Sequence, residues 1–286
     1  ASDLGNTVVV VEHDEAMVMA ADQVVEIGPA AGKYGGELVA QGTPADISKL
    51  DTPTGRWLQR GVSKVNSRKR KSAFELTIKG PRENNLKGED VIIPLGQLVG
   101  VTGPSGSGKS TFLSLLAGLD HPDFGSICIN GQNLANMKQE ELARFRSENL
   151  GIVFQQYHLM SNLTALENVA LPLELQHQKE VDARARKALE WVDLSPRLSH
   201  LPSELSGGEC QRVALARAMV TKPSLILADE PSGNLDGKTG KEVMELLFKL
   251  CKENEQTLIL VTHNHELSQL CDRSLFLRDG KLLNSP

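Results

Sequence analysis

Residues 103–111 read Gly103-Pro104-Ser105-Gly106-Ser107-Gly108-Lys109-Ser110-Thr111, and few segments constrain a fold as tightly. Glycines at the first and sixth places followed by Lys-Ser match the spacing of a phosphate-cradling loop, whose backbone N–H groups turn inward onto an anion. Such a loop needs a buried strand before it and a helix after it. Gln97-Leu98-Val99-Gly100-Val101-Thr102 reads as the strand, and Phe112-Leu113-Ser114-Leu115-Leu116 as the helix. The helix N-terminus adds the positive end of its dipole. Lys109 is placed to reach β- and γ-phosphates and Ser110 to hold Mg²⁺. A plain Gly/Ser turn would not require the Lys-Ser pair or both flanks.

A second motif follows about 120 residues later, where the apolar run Ser224-Leu225-Ile226-Leu227-Ala228 ends in Asp229-Glu230-Pro231. An Asp at the end of a buried strand can hold Mg²⁺, and the Glu beside it can polarise an attacking water. Two acids at a strand end are ordinary by themselves; the upstream loop makes them a candidate metal and base. Between the motifs lies Leu205-Ser206-Gly207-Gly208-Glu209-Cys210-Gln211-Arg212, which opens a strong helix former. It is a second helix start rich in small residues, and so a second candidate anion site.

This set resembles the ABC-type ATPases, with Leu205 to Glu209 similar to that family's signature motif. The resemblance implies an ATP- and Mg²⁺-dependent ATPase working as a head-to-tail dimer. The signature of one copy (Ser206, Gly207, Gly208, Glu209) would close over ATP held by the phosphate loop of the other. Further elements come in the family's order. Gly151-Ile152-Val153-Phe154-Gln155 resembles the Q-loop, implying Gln155 as a third Mg²⁺ contact beside Ser110 and Asp229. Ser232-Gly233-Asn234-Leu235-Asp236 resembles the D-loop, with Asp236 at the dimer seam. The strand Thr257 to Val261 leads to Thr262-His263, and His263 resembles the switch histidine at the γ-phosphate, although His265 stands two residues away. Lys109, Gln155, Glu230 and His263 are the implied catalytic set. One departure is the stretch Ile78 to Leu86, which holds no aromatic residue to stack on adenine; Arg82 is a weak substitute.

The chain is 286 residues long, 40% hydrophobic and 23% charged, ordinary values for a globular protein. No apolar run approaches the ~20 residues of a membrane helix. A transporter of this kind would therefore need a separate membrane permease, with this chain peripheral on the cytoplasmic face of the inner membrane. Cys128, Cys210, Cys251 and Cys271 lack zinc-site spacing and suggest no disulfide framework, which fits a reducing cytoplasm. The formal net charge of −5 argues against a whole-molecule nucleic-acid footprint. No signal peptide is visible and no initiator methionine is present, so the chain is expected to be a fragment.

The organisation is unusual. Thr7-Val8-Val9-Val10-Val11-Glu12-His13 parallels Thr257-Leu258-Ile259-Leu260-Val261-Thr262-His263, and both copies run on through apolar pairs to a Gly-containing hairpin. Residues 1–60 read as the C-terminal remnant of an ABC ATPase domain and 61–72, with Arg68-Lys69-Arg70-Lys71, as a basic linker. Residues 73–286 read as a complete ABC ATPase domain. Residues 4–111, through Val11-Glu12-His13-Asp14-Glu15, Ile27-Gly28-Pro29 and Arg82-Glu83-Asn84-Asn85-Leu86-Lys87, resemble the excision-repair ATPase UvrA. From about residue 112, Ala117-Gly118-Leu119-Asp120, Thr164-Ala165-Leu166-Glu167-Asn168-Val169 and Ala228 to Asp236 resemble transporter ATPases of the lipoprotein-releasing and macrolide-export (LolD/MacB) group. The join falls inside the phosphate loop, and a hybrid chain is the expectation.

The expected fold is α/β: a P-loop NTPase of ABC type, with a mainly parallel sheet and flanking helices. Apolar runs at 90–93, 98–102, 225–228 and 258–261 predict buried strands. Strands near 74–79 and 89–93, with no helix between, predict a small antiparallel N-terminal sheet. Val243, Leu246, Leu247 and Leu250 predict a helix with one apolar stripe. Residues 138–205 predict a helical lobe, with Trp191 in the core and Tyr157 to Val169 as the contact for a membrane partner. Three functions are weighed: the ATP-driven motor of a transporter, a DNA-damage ATPase, and a regulatory module that binds ATP without hydrolysing it. The acidic charge and the missing zinc cysteines weigh against the second, and intact Glu230 and His263 against the third.

Overall fold

The computed structural model describes residues 18, 21–28, 37–52, 54–55, 75–82, 86, 88, 90–103, 106–278 and 281–283. The chain divides into two units, 1–64 and 65–286. In the first, β1 (Val24–Gly28) pairs antiparallel with β2 (Glu37–Gly42). A short helix, α1 (Pro44–Ile47), follows, its start capped by the Thr43 side chain. Glu37 to Val39 of the expected hairpin lie in β2, paired with β1; the expectations for Thr7 to His13, for Gly35-Gly36 and for the 61–72 linker lie outside the described residues.

The second unit opens with an antiparallel layer. β3 (Glu75–Arg82) pairs with β4 (Val91–Pro94), setting Leu76 opposite Ile93 and Ile78 opposite Val91. Those four side chains are buried. This is the antiparallel pairing expected of the strands near 74–79 and 89–93, which have no helix between them. On its other side β3 pairs with β6 (Phe124–Ile129), which turns back into β7 (Gln132–Asn133).

The larger sheet has the order β12-β11-β5-β10-β9-β8. Here β5 is Leu98–Thr102, β8 Leu150–Val153, β9 Leu225–Asp229, β10 Thr257–Val261, β11 Arg273–Arg278 and β12 Lys281–Leu283. Five of these run parallel, and β12 alone pairs antiparallel. Strands β5 and β10 are buried along their whole length, as continuous aliphatic runs covered on both faces must be.

Helices α2 (Lys109–Leu116), α3 (Gln139–Asn149), α4 (Ala165–Leu175), α5 (Val181–Trp191), α6 (Gly207–Met219), α7 (Gly237–Glu253) and α8 (His265–Gln269) complete the unit. Two cores result. One gathers β3, β4, β6, α2 and α3 against one face of the parallel sheet. The other gathers α4, α5, α6 and α7 against the opposite face, with Trp191 packed at its edge. The expected lobe at 138–205 therefore needs correction at its front. Leu142 and Phe145 of α3 bury into the core that holds the α2 helix, and residues 150–153 are a sheet strand. Helices α4 and α5 pack chiefly against one another and against α6, their shared support. Among the described residues no helix is long and apolar enough to cross a membrane.

Candidate functional site

The phosphate loop leaves β5 at Thr102 and enters α2 at Lys109. Gly108 caps that helix with φ 100°, a left-handed value that an L-residue adopts only with strain, and no side chain caps the first turn. Its opening N–H groups thus face an anion site with no internal competitor from a capping side chain. Pro104 and Ser105 lie outside the described residues. Gly103 contributes its carbonyl, which accepts a 2.8 Å hydrogen bond from Lys109 Nζ. Thr111 is half-buried and Gly106 exposed on the loop's outer bend.

Lys109 is 8% exposed, and burial holds its ammonium below the usual lysine range, against the pull of the Glu230 and Asp229 carboxylates. Asp229, at the end of β9, is displaced the other way. Burial raises it, while the hydroxyl of Ser110 donates to it and draws it down. A cation that burial disfavours and a carboxylate that burial disfavours therefore share one cleft. Each would be relieved by an ion of the opposite sign, triphosphate for Lys109 and Mg²⁺ for Asp229. Ser107 adds an independent sign: it is 4% exposed and its hydroxyl has no protein partner. Buried hydroxyls without partners are rare and mark missing acceptors. These residues fit a metal-bound triphosphate; Ser110 and Asp229 would hold the ion.

Glu230 follows Asp229 in a left-handed turn, φ 43°, at a cost of about 1–2 kcal/mol for a residue with a Cβ. Its N–H donates to the Val261 carbonyl at 2.9 Å. That bond ties the turn to the end of β10, from which His263 follows. His263 Nδ1 lies 3.0 Å from Glu230 Oε1, so this histidine meets the acid; the side chain of His265 lies outside the described residues. His263 is exposed and Glu230 largely covered, giving an acid backed by the strand ends and a histidine reaching from solvent.

Lys109, Ser110, Asp229, Glu230 and His263 are thus gathered at the C-terminal ends of three adjacent parallel strands, β5, β9 and β10. That edge is where open α/β sheets place ligands. Gln155 is held differently. Its Nε2 donates to Asn234 Oδ1 at 3.3 Å, while Asn234 Nδ2 donates to the Gln155 carbonyl at 3.0 Å. Asn234 is the residue whose role the sequence does not announce: a loop asparagine carries no local signal of a partner 79 positions away.

The second helix start is finished internally. Ser206 Oγ accepts from the Glu209 N–H at 3.3 Å, and Glu209 Oε2 accepts from the Ser206 N–H at 2.8 Å, a closed capping box. Arg197 Nε adds a 2.9 Å ion pair to Glu209. These contacts, with Ser206 first, pull the Glu209 carboxyl down to about 2. Glu209 thus caps α6 from within the chain. Asp236 likewise caps α7, accepting from the N–H groups of Lys238 at 3.2 Å and Thr239 at 3.1 Å. Gly207 and Gly208 have Tyr157, Leu235 and Thr239 as near neighbours, and a Cβ at 208 would lie 2.4 Å from Thr239 Cγ2. The side chain of Arg82 lies outside the described residues.

The comparisons with known proteins agree with this architecture. Residues 86–233 match the family described as ABC transporter. The lipoprotein-releasing system ATP-binding protein LolD of Alcanivorax borkumensis is 47% identical over 199 residues, covering 69% of this chain and 87% of that protein. The uncharacterized ABC transporter ATP-binding protein YbbA of Escherichia coli K12 matches with the same identity and coverage. Among solved structures, the ATP-binding cassette MJ0796, described as dimeric and bound to ADP and Pi in a post-hydrolysis state, superposes with a TM-score of 0.68. It is 37% identical, covering 72% of this chain and 96% of that one. From these matches and from the phosphate loop, paired acids and histidine drawn together at one sheet edge, the chain belongs to the ABC transporter family and is one of its ATPases.

Proposed function

We propose that this chain is the ATP-hydrolysing subunit of a transporter of the lipoprotein-release or macrolide-export type, driving a separate membrane permease. The observation that carries the reading is the meeting of Lys109, the Ser110–Asp229 pair and the Glu230–His263 pair at one sheet edge. Lys109 and the first amides of α2 neutralise the phosphates. Ser110, Asp229 and Gln155 would hold Mg²⁺, which would supply neutralisation of the phosphate charge. Glu230 positions or deprotonates the attacking water, and His263 steadies both Glu230 and the γ-phosphate. Such catalysis is mostly positioning and electrostatics.

Two copies would assemble head to tail, each Ser206-Gly207-Gly208 turn facing the phosphates held by its partner and Asp236 lying along the seam. ATP would favour the closed dimer and hydrolysis the open one. The dimeric cassette that superposes on this chain supports that assembly. The permease contact is proposed at Tyr157 to Val169. That loop is stiffly built: buried Asn168 donates to the carbonyls of Met160, Leu163 and Thr164, and Arg217 donates to those of Tyr157 and His158. Met160 stands 51% exposed on it, an apolar tip on a rigid base. The protein would sit peripherally on the cytoplasmic face of the membrane.

Residues 73–286 are proposed as the ATPase domain and 1–60 as a remnant; the division between units at residue 64 falls within the basic stretch. The UvrA-like reading of residues 4–111, with its hybrid chain and DNA partner, gains no support from the relatives found. The non-hydrolysing alternative is disfavoured by the Glu230–His263 contact. Glu230→Gln provides the test. It should bind ATP and dimerise normally yet hydrolyse at least about 10²-fold more slowly; a rate near wild type removes Glu230 from its role. Recovery of a permease-like subunit from membranes supports the motor, and salt-sensitive binding to damaged duplex without such a partner would turn the reading to repair.

A further inference from the structure

We infer that Asn234 is a positioning residue for Gln155, fixing which end of the Gln155 amide can meet the metal ion. One atom of the pair has an unambiguous role. The Gln155 backbone carbonyl can only accept, so the Asn234 group facing it at 3.0 Å must be the Nδ2 donor. Asn234 Oδ1 is then left as an acceptor. The Gln155 amide, 3.3 Å away, must present Nε2 to it. By elimination, Gln155 Oε1 is the end kept out of the pair, and a carbonyl-type oxygen is what a hard divalent cation takes. One asparagine thus sets both the backbone and the amide of the same glutamine.

The support around Asn234 is firm. The turn before it is closed by Gly233 N–H to the Glu230 carbonyl at 2.9 Å. Two residues beyond it, Asp236 caps α7. Gly233 keeps the pair possible, because a Cβ there would lie 2.8 Å from Gln155 Nε2. The neighbouring carbonyls are gripped from a different element: Gln211 of α6 donates to Phe154 at 3.4 Å, and Arg217 of α6 to Tyr157 at 2.9 Å. Helix α6 therefore holds the strap on either side of Gln155. Asn234, from the turn after β9, supplies the bond that relates Gln155 to the Asp229–Glu230 strand end. Partners of this kind orient the metal's own ligands.

The inference rests on the reading of Gln155 as a Mg²⁺ ligand, and the experiment separates the two. Mn²⁺ binding in the presence of ATP is followed by electron paramagnetic resonance in the Glu230→Gln background, where turnover is suppressed. Asn234→Ala should weaken Mn²⁺ affinity about 10- to 100-fold, the usual loss for an outer-shell partner. ATP affinity without metal and the thermal midpoint should stay near those of the parent. Gln155→Ala should weaken Mn²⁺ affinity similarly, and the double variant should be no worse than Gln155→Ala alone, because Asn234 acts through that side chain. An unchanged affinity in Asn234→Ala beside a weakened one in Gln155→Ala overturns the positioning role only, as would additive losses in the double variant. An unchanged affinity in Gln155→Ala removes Gln155 from the metal and this inference with it.

Discussion

Two helices in this molecule begin with small residues, and they are finished in opposite ways. Helix α2 opens behind left-handed Gly108 with no side-chain cap. Helix α6 opens behind Ser206 inside a closed capping box, with Arg197 neutralising the Glu209 that completes it. Both ends carry the same dipole and the same unsatisfied amides in principle. The first leaves them to an outside anion and places a buried lysine beside them. The second satisfies part of its own need and keeps its charge balanced. A phosphate should therefore be gripped by α2 within one chain, whereas α6 suits a lighter contact made once another molecule supplies the phosphate.

The largest expected effect would break this contrast at its strong side. Lys109→Ala should cost about 2 kcal/mol or more of ATP affinity, some 30-fold by equilibrium titration of the single chain. A smaller loss than in Ser206→Ala would invert the ranking. Ser206→Ala tests the weak side: losing the cap should cost about 0.5–2 kcal/mol of stability in denaturant melts. ATP affinity of the isolated chain should be untouched and dimer-dependent hydrolysis reduced. The next effect is read against pH. Glu209 titrates at about 2 in the fold against an ordinary 4.5. A depressed carboxylate stabilises fully above the unfolded value and loses that contribution as pH falls toward the folded one. The stability difference between wild type and Glu209→Gln should thus be widest above pH 4.5 and shrink as pH approaches 2; a difference independent of pH there would mean that the cap does not need the charge. The smallest effect belongs to Arg197→Ala, whose half-exposed ion pair should contribute only about 0.2–1 kcal/mol, seen in the same melts and diminished by salt.

The strong end was legible in the sequence because its signals are local. Apolar runs at 98–102, 225–228 and 258–261 become adjacent parallel strands, and the motifs at their ends are carried to one edge as a consequence. The antiparallel pairing of the strands near 74–79 and 89–93 follows from the lack of a helix between them. At Glu209 and Asp236 the structure adds capping roles that the sequence does not announce, because a capping carboxylate and a ligand-binding one share the same place at a helix's start. Strand β6 was missed: Phe124-Gly125-Ser126-Ile127-Cys128-Ile129 alternates only at its end, and its pairing is with β3 some fifty residues back. The Gln155–Asn234 pair and the clamps of Asn168 and Arg217 were invisible for a related reason. A side-chain amide or guanidinium on a distant carbonyl leaves no periodicity and no spacing to find.

Gly208 lies so close to Thr239 that a Cβ there would sit 2.4 Å from the threonine methyl, so the first turns of α6 and α7 abut with no room for a side chain between them. In the proposed dimer, a subunit docking against this edge would meet both helix starts together, and the second of them follows directly on the turn that carries Asn234. A missing methyl group would thus link the arrival of a neighbour in that dimer to the strand end that carries Asp229 and Glu230.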